Sequence, residues 1–200
     1  SVASGEPPRV AGLNRRVQEN AEVLLDAYRV CAKAVQDGQP IAPAAEWLLD
    51  NFHLVEQQLR QIADDLPPGY YRQLPKLIEG PFAGYPRVFG LAWAYVAHTD
   101  SLLSGQVLRR YVTAYQRVQP LKIGELWAVA ITLRIVLIEN MRRLAVQIIE
   151  GHTLRQTADK IVAGARNDLD KAHAIYEWVV DNSYRRASTR GCGIGDIAAM

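Results

Sequence analysis

The sequence predicts an all-α protein, an irregular multi-helix bundle with one long central helix over about residues 121–150 and a helical C-terminal extension. Three observations support this prediction. Apolar residues recur at spacings of three and four in almost every segment, which is the period of a helix with one buried face. No alternation of apolar and polar residues is long enough to predict a strand. Glycine and proline interrupt the pattern where helical segments end.

The first two predicted helices occupy the first third of the chain. The first ends at Gly38 and Pro40, residue types that commonly terminate helices. The second begins near Pro43, which suits a first helical turn, and ends at the break over residues 67–69. The side chains expected to face the core are Val17, Ala21, Leu24, Leu25, Tyr28, Cys31, Ala32 and Val35 in the first helix, and Trp47, Leu48, Leu54, Val55, Leu59 and Ile62 in the second.

Residues 67–87 form a proline-rich connection with many apolar and aromatic side chains. The connection holds five of the ten prolines and three glycines. Because a disordered linker would carry fewer rings and apolar side chains, we expect an ordered connection that packs against the bundle. Helices are predicted again over residues 88–100 and 104–118, and Ser104 is the expected cap of the second.

The most apolar stretch, Ile123 to Ile149, is long enough to cross a bilayer. Its longest uncharged run, Leu126 to Leu133, is nevertheless far short of the roughly 20 residues that a span needs. We therefore interpret it as a long helix buried on most sides, and we expect no transmembrane span in the chain. Two more helices are predicted over residues 153–165 and 167–182, with His152 exposed in a linker before them. The charged residues that interrupt the stretch are Glu125, Arg134, Glu139, Arg142 and Arg143.

The composition is ordinary for a soluble globular protein, with 49% apolar and 22% charged residues. A net charge of +2 gives no field that would favour nucleic acid as a partner. The two cysteines, Cys31 and Cys192, make no disulfide framework, so a reducing compartment is expected. The first residues lack the pattern of a signal peptide. No spacing of histidine, cysteine and acidic residues suggests a zinc site, and we expect no metal and no cofactor.

The strongest chemical signal is Cys192, which lies between two glycines. A helix beginning there would lower the thiol pKa from about 8.5 toward neutrality, and the glycines would leave the sulfur accessible. Turnover also needs a general base, normally a histidine held by a third group. His173 is a weak candidate for that base, whereas His53, His98 and His152 are expected to be structural or solvated.

Three weaker signals have plainer structural explanations. Asp168 and Asp170 match the Asp-x-Asp pattern of many glycosyltransferases, but with Asn167 they lie where a helix begins, and such residues cap helices. Paired acids such as Asp64 and Asp65 are better explained as exposed helix charge than as glycosidase carboxylates. Aromatic side chains could line a sugar-stacking groove, although core packing is expected to take most of them: Trp47, Tyr70, Tyr71, Phe82, Tyr85, Trp93, Tyr95, Tyr111, Tyr115 and Trp127.

Two long stretches carry a first family resemblance. They are "AAEWLLDNFHLVEQQLRQIADDLPPGYYRQLPKLIEGPFAGYPRVFGLAWAYVAHTDS" and "VLRRYVTAYQRVQPLKIGELWAVAITLRIVLIENMRRLA". Together they make residues 15–150, approximately, resemble the N-terminal region of bacterial cyclic β-1,2-glucan synthases. Those synthases are large inner-membrane glycosyltransferases that build and cyclise a glucan from a UDP-sugar. The resemblance implies a cytosolic accessory segment that does not contain their active site.

A second resemblance covers about residues 155–200. The stretch "ADKIVAGARNDLDKAHAIYEWVVDNSYRRASTRGCGIGDI" is similar to the opening of bacterial transglutaminase-like cysteine domains. In that family a helix with a Tyr-x-Trp pattern, here Tyr176 and Trp178, precedes the glycine-flanked cysteine that opens a helix, here Cys192. The histidine and aspartate of the family follow well after the cysteine, and this sequence stops eight residues after it.

The sequence therefore predicts a composite chain: a flexible N-terminus over residues 1–14, a helical bundle over 15–152 and a truncated transglutaminase-like segment over 153–200. The favoured function is a non-catalytic accessory or interaction region of a cyclic β-1,2-glucan synthase, with the remainder of that membrane enzyme or another protein as partner, on the cytoplasmic side. Two alternatives stay open. One is a cysteine transferase or hydrolase that uses Cys192, and the other is a glucan-binding module.

Overall fold

The computed structural model describes residues 8–10, 12–65 and 69–182, and these residues confirm the all-α prediction. The one extended pairing in these ranges is an isolated antiparallel bridge between Lys76 and Pro86. The helices of the described ranges are α1 (Leu13–Gln36), α2 (Pro43–Asp65), a short 3₁₀ turn (Tyr70–Arg72), α3 (Arg87–His98), α4 (Gly105–Val118), α5 (Ile123–Val162) and α6 (Asp168–Asn182).

Helix α5 is the centre of the bundle. Its 40 residues give a length of about 60 Å. Helices α1, α2 and α3 pack against it, and α6 packs against it as well. The buried residues of α5 lie between Glu125 and Ala145, so the core surrounds its N-terminal half. The most enclosed large side chains of this core are Leu24, Ile62, Phe89, Tyr95 and Ile135.

The predicted apolar stripe of α2 differs from the buried face. Leu48, Val55 and Ile62 are buried as expected, but Phe52 joins them, and Trp47 and Leu54 lie in solvent at 53% and 44% exposure. The prediction combined residues from two sides of the helix, since the buried residues alone keep a strict spacing of three, four or seven. In α1 the stripe is confirmed at Val17, Leu24 and Cys31, whereas Val35 is half-exposed.

Helix α5 is longer than predicted. It continues to Val162, so the separate helix expected over residues 153–165 is its last part, and Gly151 and His152 are helical rather than in a linker. His152 is also half-buried instead of exposed. A single glycine inside a helix costs only about 1 kcal/mol, which the neighbouring turns can offset. The predicted boundary between residues 152 and 153 consequently falls within one continuous helix.

The connection from residue 69 to α3 is ordered, as predicted. The Leu77 N–H donates to the Tyr85 carbonyl at 2.9 Å, and the Gly84 N–H donates to the Leu77 carbonyl at 2.8 Å. Gly84 has a φ of +86°, and a Cβ there would lie 2.3 Å from the carbonyl oxygen of Pro8, so the turn requires glycine. The rings of Tyr85 and Phe89 stack at 5.2 Å, which attaches the connection to the core.

None of the residues of α4 is buried, which distinguishes it from α1, α2, α3 and α5. Its cap is the predicted one: the Ser104 hydroxyl accepts a hydrogen bond from the Val107 N–H at 3.4 Å. Tyr111 donates to the Leu91 carbonyl at 3.2 Å and so anchors α4 to α3. Across the described ranges, none of the helices combines the length and the apolar character that a bilayer span requires.

Candidate functional site

Of the two residues proposed for cysteine chemistry, the described structure contains only His173. Cys192 lies outside the described residues, so its role stays a prediction. His173 lies on the exposed side of α6, where its Nε2 is 3.6 Å from Glu177 one turn later. Tyr176 of the Tyr-x-Trp pattern is 67% exposed, and Trp178 is half-buried. The other thiol, Cys31, is buried in α1, and this burial raises its pKa, which is the opposite of activation.

The Asp-x-Asp pattern caps a helix, as predicted. The Asn167 side-chain oxygen accepts from the Asp170 N–H at 2.9 Å, and the Asn167 amide donates to the Asp170 carboxylate at 3.0 Å. Asp168 pairs with Lys171 at 3.0 Å in the first turn of α6. Within the described ranges, no group of three histidine, cysteine or acidic side chains is placed to hold a metal.

The most unusual feature of the interior is a pair of buried carboxylates on α5, Glu125 and Glu139, which the sequence did not predict. The first, Glu125, is fully enclosed and accepts hydrogen bonds from Arg87 Nε at 2.5 Å and Nη2 at 2.6 Å. It also accepts from the Lys122 N–H at 2.9 Å, so it satisfies a backbone donor at the start of α5, as the acid of a capping box does. Burial alone would raise the pKa of Glu125, but the bonds from Arg87 outweigh it and the pKa is lowered.

The second carboxylate, Glu139, joins α5 to α1. Arg16 donates to it from Nε and from Nη2, both at 2.8 Å, in a bidentate pair, and Asn20 donates to it at 2.8 Å. Burial opposes ionisation here too, yet the bonds from Arg16 and Asn20 lower the pKa of Glu139. The same guanidinium donates to the Tyr85 hydroxyl at 3.3 Å and lies 5.9 Å from the ring centre of Phe89. One cation therefore connects α1, α5, the proline-rich connection and α3.

Two tyrosines fix the start of that connection on α5. Tyr71 shares a hydrogen bond of 2.7 Å with the Thr132 hydroxyl in the core, and Tyr70 donates to the Gly124 carbonyl at 2.6 Å. Burial raises the pKa of Tyr71 to about 12, so this phenol is neutral at physiological pH. A neutral, hydrogen-bonded phenol in the core is a structural contact.

The buried polar side chains of the described structure are all hydrogen-bonded. No buried side-chain nitrogen or oxygen within it lacks a hydrogen-bond partner. Each buried carboxylate accepts three hydrogen bonds from protein groups and is paired with an arginine, so both serve as structural contacts. The sequence did carry a signal for them, because Glu125 and Glu139 interrupt an apolar run and a buried carboxylate requires a cation nearby.

The surface carries the features that could recognise a partner. An apolar groove of about 220 Å³ lies between α2 and α5. Its exposed large side chains are Trp47 and Leu144, at 53% and 51% exposure. Trp127 on α5 is also open, at 79%, whereas most of the other aromatic candidates are buried or packed on the core, as predicted. The groove is lined by Ala44, Trp47, Leu48, Met141, Leu144, Ala145 and Ile148.

No protein-family model matches the chain. Over 147 residues, the chain is 44% identical to the cyclic β-(1,2)-glucan synthase NdvB of Rhizobium meliloti (strain 1021). The aligned part is 73% of this chain and 5% of the synthase, so the chain spans about a twentieth of the length of the protein it matches. The finding supports the resemblance to glucan synthases over most of the chain, and neither comparison supports a transglutaminase-like resemblance.

Proposed function

We propose that this chain is a non-catalytic helical module of a protein that makes cyclic β-1,2-glucan, and that it acts on the cytoplasmic side by docking against the remainder of the synthase. The observation that carries the proposal is the 44% identity over 147 residues to the rhizobial synthase. The chain spans only 5% of that protein, so we propose that the remainder of a synthase, and not this segment, carries out glucan synthesis.

The chemistry of the interior supports a module without its own reaction. The buried acids of α5 that could serve as general acids or bases are held in ion pairs with Arg16 and Arg87. Their lowered pKa values keep both carboxylates ionised at neutral pH, whereas a general acid needs a raised pKa. In this proposal the polar interior sets the geometry of the bundle, and the rest of the synthase supplies the transfer step.

The apolar groove between α2 and α5 is the docking surface that we propose for the rest of the synthase. A half-exposed tryptophan beside methionine and leucine is typical of the centre of an interface, where aromatic anchors contribute most of the binding energy. Trp47 of α2 and Leu144 of α5 both line this groove. Leu54 lies on the same helix as Trp47 with 44% exposure but does not line the groove, which makes it a matched control.

The experiment replaces the matching segment of the rhizobial synthase with the aligned residues of this chain and measures cyclic β-1,2-glucan made by membranes from a UDP-sugar. We expect the chimera to make glucan and the isolated chain to make none. The change Trp47→Ser should lower synthesis by the chimera at least tenfold, whereas Leu54→Ser should leave it within about twofold. Glucan made by the isolated chain, or equal effects of the two substitutions, would contradict the proposal.

A second measurement separates this proposal from the cysteine-enzyme alternative. The rate of Cys192 alkylation by iodoacetamide is followed against pH, with Cys31→Ser as background. We expect a midpoint near the ordinary thiol value of about 8.5. A midpoint well below 7 would show an activated thiolate and would restore the alternative, with His173→Gln as the variant that tests its base.

A further inference from the structure

We propose that α4 and the first turns of α5 form a peripheral docking surface for a bilayer that contains anionic lipid. This membrane-facing surface consists of Arg109, Arg110, Arg117 and Lys122, with three exposed apolar side chains, Val118, Ile123 and Trp127. It lies apart from the groove between α2 and α5. Its test uses the chain alone and does not depend on glucan synthesis.

The charge of this region is strongly asymmetric. Residues 101–124 contain four cations and no carboxylate, although the whole chain carries a net charge of only +2. All four cations are exposed, and none of them takes part in an ion pair of the described structure. The next acid along the chain, Glu125, is fully buried and neutralised by Arg87. The exposed charges contributed by residues 101–124 are therefore all positive, which complements anionic headgroups.

Helix α4 presents its basic side to solvent. One side carries Leu108, Tyr111, Val112 and Tyr115, which are only half-buried, and the opposite side carries Arg110 and Arg117. Leu108 and Tyr111 pack against the hydrophobic core, so the apolar side of α4 faces the bundle and its basic side is left to meet a charged surface. The hydrogen bond from Tyr111 to Leu91 keeps α4 on the bundle and orients it.

The apolar side chains beside these cations are highly exposed to solvent. Val118 is 88% exposed, Ile123 is 76% exposed and Trp127 is 79% exposed. Ile123 and Trp127 lie one helical turn apart and so share one face of α5. Tryptophan prefers the boundary between headgroups and acyl chains, and aliphatic side chains enter the acyl region. A bilayer surface thus accommodates both the cations and the apolar side chains, which is why we assign this partner rather than an acidic protein.

The experiment is flotation of the full chain with vesicles of phosphatidylcholine alone and with vesicles containing one quarter phosphatidylglycerol. We expect binding to the anionic vesicles only, and weaker binding as salt rises, because screening shortens the reach of the field. Removing the three arginines together (R109Q/R110Q/R117Q) should weaken binding by about fivefold per charge, or about 100-fold in total. The matched control R15Q/R29Q/R60Q removes the same charge from exposed positions on α1 and α2 and should weaken binding less than threefold.

The apolar contribution is tested with tryptophan variants. Trp127→Ala should weaken vesicle binding by at least tenfold and abolish the blue shift of fluorescence on binding, whereas Trp47→Ala should do neither. Circular dichroism of each variant verifies that it remains folded. Three outcomes overturn the proposal: no binding to anionic vesicles, equal binding to neutral ones, or equal losses for the two triple variants. Binding to an acidic protein without binding to vesicles would assign the surface to a different partner and would also overturn it.

Discussion

Replacing Arg87 by alanine removes both side-chain hydrogen bonds that Glu125 accepts and leaves it the backbone N–H of Lys122. The carboxylate is 0% exposed, so water cannot reach it without opening the start of α5. Breaking a buried ion pair in this way costs about 3–5 kcal/mol, because the remaining charge is left uncompensated in the interior. A domain of this kind has a total unfolding free energy of about 5–15 kcal/mol, so this single change removes a large part of it.

The assay is urea unfolding followed by far-ultraviolet circular dichroism, with the free energy of unfolding from linear extrapolation. For a chain of this size, 3–5 kcal/mol corresponds to a fall in Tm of about 6–20 °C. The matched control is Arg60→Ala, which breaks a pair with Glu56 whose two side chains are 74% and 50% exposed. Exposed pairs contribute about 0–1 kcal/mol, so the control should unfold almost as the unmodified protein does.

A double replacement distinguishes the uncompensated charge from the loss of packing. In Arg87→Met/Glu125→Leu both charges are absent, and apolar side chains fill much of the same space. We expect this variant to be more stable than Arg87→Ala, because a buried pair can be exchanged for apolar groups at little cost. The reasoning is refuted if Arg87→Ala costs no more than Arg60→Ala, or if the double variant is less stable than Arg87→Ala.

Three further predictions concern pH and the proline-rich connection. The pKa of Glu139 is lowered on folding, so its contribution to the free energy of unfolding is complete above about pH 4.5 and is lost as the pH falls through the folded value. The difference in stability between the protein and Glu139→Gln, from urea unfolding at several pH values, should therefore narrow as the pH falls below about 4.5. The pKa of Tyr71 is raised to about 12, so its contribution to the free energy of unfolding is complete below about pH 10 and is lost as the pH rises toward 12. The stability of Tyr71→Phe should therefore depend less on pH in that range. A variant whose stability changes with alkaline pH as that of the unmodified protein does would contradict this. Gly84→Ala should lower the free energy of unfolding by about 1 kcal/mol or more, because residue 84 combines a φ of +86° with a close approach to Pro8. Calorimetry should show this as a lower Tm, and an unchanged Tm would show that the turn does not need glycine.

The sequence was sufficient for the fold class because the helical period is a property of local segments. It predicted the ends of α1 and α2 and the Ser104 cap from residues that act within a few positions of themselves. It was less accurate where the outcome depends on packing. Phe52 rather than Trp47 enters the core because the neighbouring helices, not the local pattern, select the buried side of α2.

The polar interior could be predicted only in part, for a related physical reason. An acid in an apolar run indicates a buried partner, but the partners of Glu125 and Glu139 lie 38 and 123 residues away. Pairing over such separations is set by how helices cross, which a single sequence does not display. The length of α5 was underestimated because a glycine such as Gly151 is typical of a helix end. The helical turns on both sides of Gly151 offset the free-energy cost of a glycine inside the helix.

The positions of the two buried carboxylates also explain how a long, apolar helix is held in one register. Glu125 and Glu139 are about four turns apart, so they lie on nearly the same side of α5 and about 21 Å from each other along it. Arg87 of α3 meets one and Arg16 of α1 meets the other. Apolar contacts alone would tolerate a shift of α5 by one turn, but such a shift would leave two buried charges without partners, at several kcal/mol each. We infer that these pairs select a single packing of α1 and α3 on α5, and through it fix where Trp47, Trp127 and the cations of α4 are presented.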